Sequence, residues 1–151
     1  MKNFTEIKKN LFETCLLFVA KKQQTISTII ASHRKALLSE TKSSAGDKHE
    51  TGRAMIQLEM EKAGQQLAEI NFMTVVLNKI DVEKAANIIC LGSLIKTSKT
   101  DYFLAISAGK IMIDNETYFA VSTNSPIGKQ LLGKKVGHTI PFNEAEILEI
   151  F

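Results

Sequence analysis

Residues 12–37 read FETCLLFVAKKQQTISTIIASHRKAL, and their apolar positions are separated by alternate steps of four and three. A seven-residue repeat of this kind is typical of a coiled-coil seam. The predicted seam positions are Phe12, Leu16, Val19, Gln23, Ile26, Ile30, His33 and Leu37. No proline occurs before Pro126, so this half of the chain lacks the commonest helix breaker, which allows helices of roughly 25 residues or more.

A second segment repeats this spacing after a polar interruption. Its predicted seam positions are Ile56, Met60, Ala63, Leu67, Ile70, Thr74 and Leu77. Two such stripes in succession predict an antiparallel helical hairpin over residues 1–80, with the two seams facing each other. Gly64 is the weak point of the second helix, since glycine costs about 1 kcal/mol relative to alanine inside a helix.

The polar interruption, residues 40–53, predicts the tip of the hairpin. Its serines and glycines favour a turn that begins near Ser39 and ends near Thr51. If the second helix starts near Gly46, Asp47 and Glu50 lie three residues apart on one face of its first turn. Carboxylates there stabilise a helix start, and a close pair also offers hard oxygen ligands to a divalent cation. The spacing leaves both roles open.

The charges of the chain are unevenly distributed. Residues 1–80 hold twelve Lys or Arg against eight Asp or Glu, whereas residues 81–151 hold seven against eight. Lys42, Lys48 and Arg53, with His49, surround the acidic pair and would help the tip to approach a phosphate backbone. A solvated helical surface would explain the same charges.

Composition limits the class of protein. With 151 residues, 44% hydrophobic and 23% charged, the chain predicts one or two small globular domains. The longest apolar run, residues 15–20, is too short to span a membrane, and the first residues lack the apolar core of a signal peptide, so we expect a cytoplasmic protein without membrane association. Cys15 and Cys90 offer no disulfide framework or zinc motif, and both are predicted to be buried, Cys15 in a helix and Cys90 in a strand.

From about residue 85 the helical period gives way to short apolar runs separated by turn residues. The predicted strands cover residues 87–95, 102–107, 110–113, 117–122, 140–142 and 145–150. Residues 114–116 predict a tight hairpin connection, and residues 125–132 a short helix with Pro126 at its first position. The expected fold class is therefore α+β, with a hairpin over residues 1–80 and a small antiparallel β domain over residues 81–151.

Two motifs resemble one known family. Residues 123–137, TNSPIGKQLLGKKVG, are similar to the signature of the bacterial Gre transcript cleavage factors, in which a serine-proline helix start leads to a Leu-Leu/Ile-Gly-Lys turn in an FKBP-like C-terminal domain. Residues 46–50, GDKHE, resemble the Gly-Asp-x-x-Glu tip of that family. The resemblance covers both halves of the chain in the right order.

The resemblance implies a function in transcription elongation. The hairpin would enter the secondary channel of RNA polymerase, and Asp47 and Glu50 would be partial ligands of a Mg²⁺ ion held jointly with the polymerase. The polymerase would then cleave its backtracked nascent RNA, near which Lys42, Lys48 and Arg53 would lie. The chain itself would be no enzyme, and the free protein would hold no stable cofactor.

The resemblance also implies a docking role for the β domain. The polymerase-binding residues that it indicates are Ser125, Pro126, Ile127, Leu131 and Gly133.

Other functions stay open at this point. The family commonly continues Glu-Asn-Ala-Glu-Tyr where this chain has residues 50–54 as ETGRA, so a regulator that occupies the channel without stimulating cleavage is one alternative. A coiled-coil binding module, with Asp47 and Glu50 only capping a helix, is another. A weaker alternative pairs Cys15 or Cys90 with His33, His49 or His138 as nucleophile and base. Prolyl isomerase activity is a further alternative, but a shared fold does not carry activity and few aromatic side chains are expected to form a proline pocket.

Overall fold

The computed structural model has an α+β fold in which two long helices precede a six-stranded mixed sheet and a short helix. It describes the backbone of residues 2–42 and 46–151, and the side chains of residues 2–39 and 50–151. The helices are α1 (Phe4–Lys42), α2 (Gly46–Asn78) and α3 (Pro126–Leu131). The strands are β1 (Leu94–Thr97), β2 (Asp101–Ala105), β3 (Gly109–Ile113), β4 (Glu116–Ser122), β5 (Thr139–Ile140) and β6 (Ala145–Ile150).

The chain divides into two compact units whose limits fall inside the long helices. The first unit, here called the β unit, contains Thr74–Phe151 together with the chain up to Phe18, and the second, here called the hairpin unit, contains Val19–Met73. The sequence predicted two domains that meet at residue 80. The two compact units do not test that boundary, so it stays a prediction.

The α2 seam agrees with the sequence prediction at every position. Ala63, Ile70 and Leu77 are buried. The other four predicted positions, Ile56, Met60, Leu67 and Thr74, are half-buried. The predicted stripe is therefore the less exposed face of α2.

The α1 seam is shifted by one residue at its start. Val19 and Ile26 are buried as predicted, but between residues 11 and 18 the buried side chains are Leu11 and Cys15. Leu16 is 40% exposed, and Gln23 is exposed as well, so the predicted frame is wrong there. Leu11–Phe12 and Cys15–Leu16 are both apolar pairs, so the spacing alone allows two frames. The remaining predicted positions, Phe12, Ile30, His33 and Leu37, are half-buried.

Contacts within the β unit fix the start of α1. The buried Lys8 donates from Nζ to the carbonyl oxygen of Lys84 at 3.1 Å. The rings of Phe4 and Phe151 are stacked with centroids 3.7 Å apart. The first turns of α1 therefore belong to the β unit.

The sheet has the order β3-β4-β2-β1-β6-β5, and one of its pairings corrects the expectation of an antiparallel sheet. β2 and β4 are parallel, with Tyr102 opposite Phe119 and Leu104 opposite Val121, whereas the other pairs are antiparallel. β4 lies between β2 and β3 because the β3–β4 hairpin folds back onto β2. The apolar spacing of a strand does not encode its neighbour, so this pairing was not visible in the sequence.

Local turn chemistry explains where the strands begin and end. Asp114 and Asn115 have φ values of 51° and 64°, as a two-residue hairpin between β3 and β4 requires, and the predicted connection is confirmed. The predicted strand over residues 87–95 is wrong for most of its length. Gly92 has φ of 92°, and the Cys90 amide donates to Ser93 Oγ at 3.0 Å, so this segment turns before β1 begins at Leu94.

The predicted short helix is confirmed as α3. Ser125 is its N-cap and accepts a hydrogen bond from the Gly128 amide at 3.0 Å, and Pro126 follows at the first helical position. α3 covers an apolar core on the sheet. The buried members of this core are Ile89, Ile95, Tyr102, Leu104, Leu131, Ile140, Ala145 and Ile147.

Candidate functional site

The acidic pair lies in the first turns of α2. This helix starts at Gly46, so the condition stated for the pair is met and positions 47 and 50 share one face of a regular helix. Glu50 is exposed. The side chain of Asp47 lies outside the described residues, as do those of Lys42, Lys48 and His49. The predicted turn over residues 39–51 is shorter than expected, since α1 extends to Lys42 and α2 already begins at Gly46.

Arg53 is the described cation nearest in sequence to the pair. It is half-buried and lies three residues after Glu50, on the same side of α2. A guanidinium one turn from a carboxylate is well placed to attract a phosphate group to this part of the helix.

The two carboxylates of the tip could supply part of the ligands of a Mg²⁺ ion. Mg²⁺ prefers carboxylate oxygens, keeps several waters and is commonly held by only one or two carboxylates from a protein. The exposed Glu50 carboxylate is open to such an ion, and position 47 carries a second carboxylate on the same helical face. Within residues 2–39 and 50–151, no three His, Cys, Asp or Glu side chains are placed to hold a metal ion, a finding that does not extend to Asp47.

A second candidate site is an apolar pocket of about 460 Å³ between α3 and the sheet. Its lining consists of Thr100, Tyr102, Phe119, Val121, Pro126, Ile127 and Phe142. The Phe142 side chain is 69% exposed at the edge of the pocket, while burial raises the pKa of Tyr102. An open cleft with three aromatic rings and almost no charge suits apolar side chains of another molecule.

The five predicted polymerase-binding residues lie in different environments in the structure. Pro126 and Ile127 line the pocket, and Ser125 fixes the start of the helix that carries them. Leu131 is fully buried in the core, so it supports folding rather than direct contact. Gly133 is exposed, with φ of 82° in the turn after α3.

Sequence reasoning missed the aromatic part of the pocket. Phe119 and Val121 are two apart in β4, so their shared face was visible from strand alternation. Their neighbour Tyr102 comes from β2 through the parallel pairing, which the sequence did not reveal. The sequence led us to expect few aromatic side chains for a proline pocket, whereas three of them, Tyr102, Phe119 and Phe142, line this apolar pocket.

The cysteines differ in their environment. Cys15 is buried, and this burial raises the pKa of its thiol to about 12, which opposes formation of a thiolate nucleophile. Cys90 is exposed in the turn before β1, so the predicted buried strand position is wrong. His138 uses Nδ1 to accept a hydrogen bond from the Lys135 amide, as expected of a turn residue.

None of the helices within residues 2–42 and 46–151 combines the length and the apolar character that crossing a membrane requires. Neither the comparison with protein-family models nor the search of curated proteins found a match for this chain. The fold and the two sites define a helical hairpin with acidic residues at its turn, followed by a mixed sheet with an apolar pocket. The Gre-type resemblance accordingly rests on the motifs of the chain itself.

Proposed function

We propose that this chain is a transcript cleavage factor of the Gre type that acts on RNA polymerase in the cytoplasm. The observation that carries the proposal is the start of α2 at Gly46, which gives Asp47 and Glu50 a common helical face next to the turn of a long hairpin. Carboxylates presented on a helical hairpin suit delivery into a narrow channel of another molecule.

The tip would assist chemistry that belongs to the polymerase. Mg²⁺ in such a site stabilises developing negative charge and favours ionisation of an attacking water. Glu50 and Asp47 would supply oxygen ligands to that ion. Arg53, Lys42 and Lys48 would attract the RNA phosphates and so orient the 3′ segment of a backtracked transcript. The chain contributes ligands and charge, and the cleavage activity remains that of the polymerase.

The apolar pocket would bind the polymerase. Pro126 and Ile127 of the signature segment line it together with three aromatic rings, so it offers a docking surface for apolar side chains at the channel entrance. We further propose that the β unit is FKBP-like. Its six-stranded mixed sheet with α3 packed on one side is compatible with that assignment.

One feature of the sequence favours a second function, in which the chain binds the polymerase in the same way. Residues 51–54 lack the asparagine, second acid and tyrosine that are common in the family. A factor with this altered tip would occupy the channel and regulate the polymerase without stimulating cleavage.

The deciding experiment uses a stalled, backtracked RNA polymerase complex with a labelled transcript and Mg²⁺. The full chain is compared with the double variant Asp47→Ala/Glu50→Ala, and Glu61→Ala removes an exposed carboxylate elsewhere on α2 as the matched control. Shortening with the wild type and the control, but not with the double variant, supports the cleavage factor. Binding without shortening by any of the three proteins supports the regulator. Absence of polymerase binding refutes both.

A further inference from the structure

The segment Lys135–His138 forms a tight turn between α3 and β5. The His138 amide donates to the carbonyl oxygen of Lys135 at 3.2 Å, which closes a four-residue turn. Gly137, the third residue, has φ of 93°, as a type II turn requires. All residues of the surrounding loop, 132–139, are exposed.

The imidazole of His138 adds a second hydrogen bond to the same turn. The backbone amide of Lys135 donates to Nδ1 at 2.9 Å. A ring nitrogen that accepts a hydrogen bond carries no proton, so this bond requires the form of His138 that is unprotonated at Nδ1. Rotating the ring by half a turn would place a carbon opposite the amide, so the bond itself selects this orientation.

Protonation of the ring is incompatible with this bond. In the imidazolium form both nitrogens are donors, so Nδ1–H would face the Lys135 N–H. The charged residues nearby on the same loop are Lys134 and Lys135, and β6 contributes Glu146 opposite Thr139. The Ile89 amide donates to the carbonyl oxygen of Lys134, and the next residue in that segment, Cys90, contributes a thiol.

Backbone bonds hold both ends of the loop independently of the ring. Ile89 and Lys134 are joined at 2.9 Å, and on the other side the Gly137 amide donates to Ile147 at 2.8 Å. Loss of the ring bond therefore affects the turn and leaves these anchors in place.

We propose that His138 is a pH-sensitive latch for the loop 132–139. Neutral His138 holds the Lys135 amide, and protonation releases it, so that at acid pH the loop is looser and carries one more positive charge beside its two lysines. This property is independent of the proposed function in transcription.

The test is NMR spectroscopy of the full ¹⁵N-labelled chain between pH 8 and pH 5, the range across which histidine side chains generally change charge. We expect the His138 ring to be unprotonated at Nδ1 at pH 8. The Lys135 amide resonance should shift with the same midpoint as the ring. Its protection factor against hydrogen exchange should fall about fivefold on ring protonation, as the loss of one hydrogen bond of ordinary net strength predicts.

Two variants imitate the bonded and the released states of the latch. His138→Asn retains a side-chain acceptor without a titrating group, so its Lys135 amide should stay protected across the pH range. His138→Phe lacks an acceptor and should resemble the acid form at every pH. A ring protonated at Nδ1 at pH 8, or a Lys135 amide that does not respond while the ring titrates, would overturn the proposal.

Discussion

At the residue scale, Gly128 shows how closely α3 approaches the sheet. A Cβ atom added at this position would lie 1.8 Å from the carbonyl oxygen of Ser122, a backbone atom with little freedom to move. We therefore expect Gly128→Ala to lower the free energy of unfolding of the β unit by about 2–3 kcal/mol, since overpacking forces the backbone apart.

The matched control is Gly64→Ala on α2. No atom lies within 4 Å of the added Cβ, so this substitution should stabilise the helix by about 1 kcal/mol. Urea unfolding followed by tyrosine fluorescence reports on the β unit, which holds Tyr102 and Tyr118, and far-ultraviolet circular dichroism follows the helices. Equal effects of the two substitutions would contradict the close approach at Gly128.

The two thiols should differ sharply in reactivity. Cys90 is exposed, whereas Cys15 is buried with a thiol pKa of about 12. A thiol-specific reagent at pH 8 should modify one cysteine per native chain and two after denaturation. In the variant Cys90→Ser, rapid modification of the native chain should disappear. Rapid reaction of two thiols in the native wild type would show that the Cys15 environment opens readily.

Asp101 should reduce stability at neutral pH. Burial, partly offset by the Thr97 amide and by Lys96, raises the pKa of its carboxyl above the ordinary value. The folded state therefore binds this proton more tightly than the unfolded state, and stability falls as pH rises from the unfolded pKa through the folded one. Asp101→Asn keeps an acceptor for the Thr97 amide and removes the charge.

The expected result is a gain in melting temperature for Asp101→Asn at pH 7 that shrinks towards pH 3, where the wild-type carboxyl is protonated in both states. Glu61→Gln, at an exposed position of α2, is the control for a general charge effect. A gain that is larger at pH 3 than at pH 7 would give the opposite sign and refute the argument.

At the element scale, the frame of α1 can be tested by truncation. Leu11 is fully buried, whereas Leu16, a position of the other frame, is 40% exposed. Leu11→Ala should cost about 2–5 kcal/mol of unfolding free energy, because it leaves a cavity in a packed core. Leu16→Ala should cost about 1 kcal/mol or less, because its side chain is already partly in water. Chemical denaturation of both variants decides between the two frames, and a larger loss for Leu16→Ala would reverse the assignment.

This frame illustrates what the sequence could predict about the elements. The α2 seam was predicted in the correct frame, although it also contains adjacent apolar residues such as Met55–Ile56 and Val76–Leu77. The adjacent apolar pairs of α1 allowed two answers, and the contacts that chose between them come from elements distant in sequence. The strand predicted over residues 87–95 failed because apolar content outweighed the turn signal of Gly92 and Ser93.

At the scale of the whole molecule, the two candidate sites were predictable to different degrees. The three-residue spacing of Asp47 and Glu50 was visible in the sequence, whereas the helix start at Gly46, which gives them a common face, came from the structure. The pocket joins β2, β4, α3 and Phe142, and its lining comes together because β2 and β4 are neighbours in the sheet. No local pattern contains that information. Pro126 and Ile127 were found because they belong to a contiguous motif.

The division of labour between these sites leads to a prediction about binding and cleavage. If the pocket docks the factor while the tip assists cleavage, Phe142→Ala should weaken polymerase binding about tenfold or more, since it removes an exposed aromatic ring worth at least about 1.4 kcal/mol. The fold should be unaffected, because this side chain is mostly exposed. Met112→Ala, at a similarly exposed position on β3, is the matched control.

The two defects should then respond differently to concentration. A saturating amount of Phe142→Ala should restore cleavage of a backtracked transcript to the wild-type rate, because the tip is intact and mass action compensates for weak docking. No concentration of Asp47→Ala/Glu50→Ala should do so, although that variant should compete with the wild type for the polymerase at nearly wild-type affinity. Binding and cleavage rates across a titration of each variant measure both effects. Failure of Phe142→Ala to recover cleavage at saturation would mean that the pocket also positions the tip.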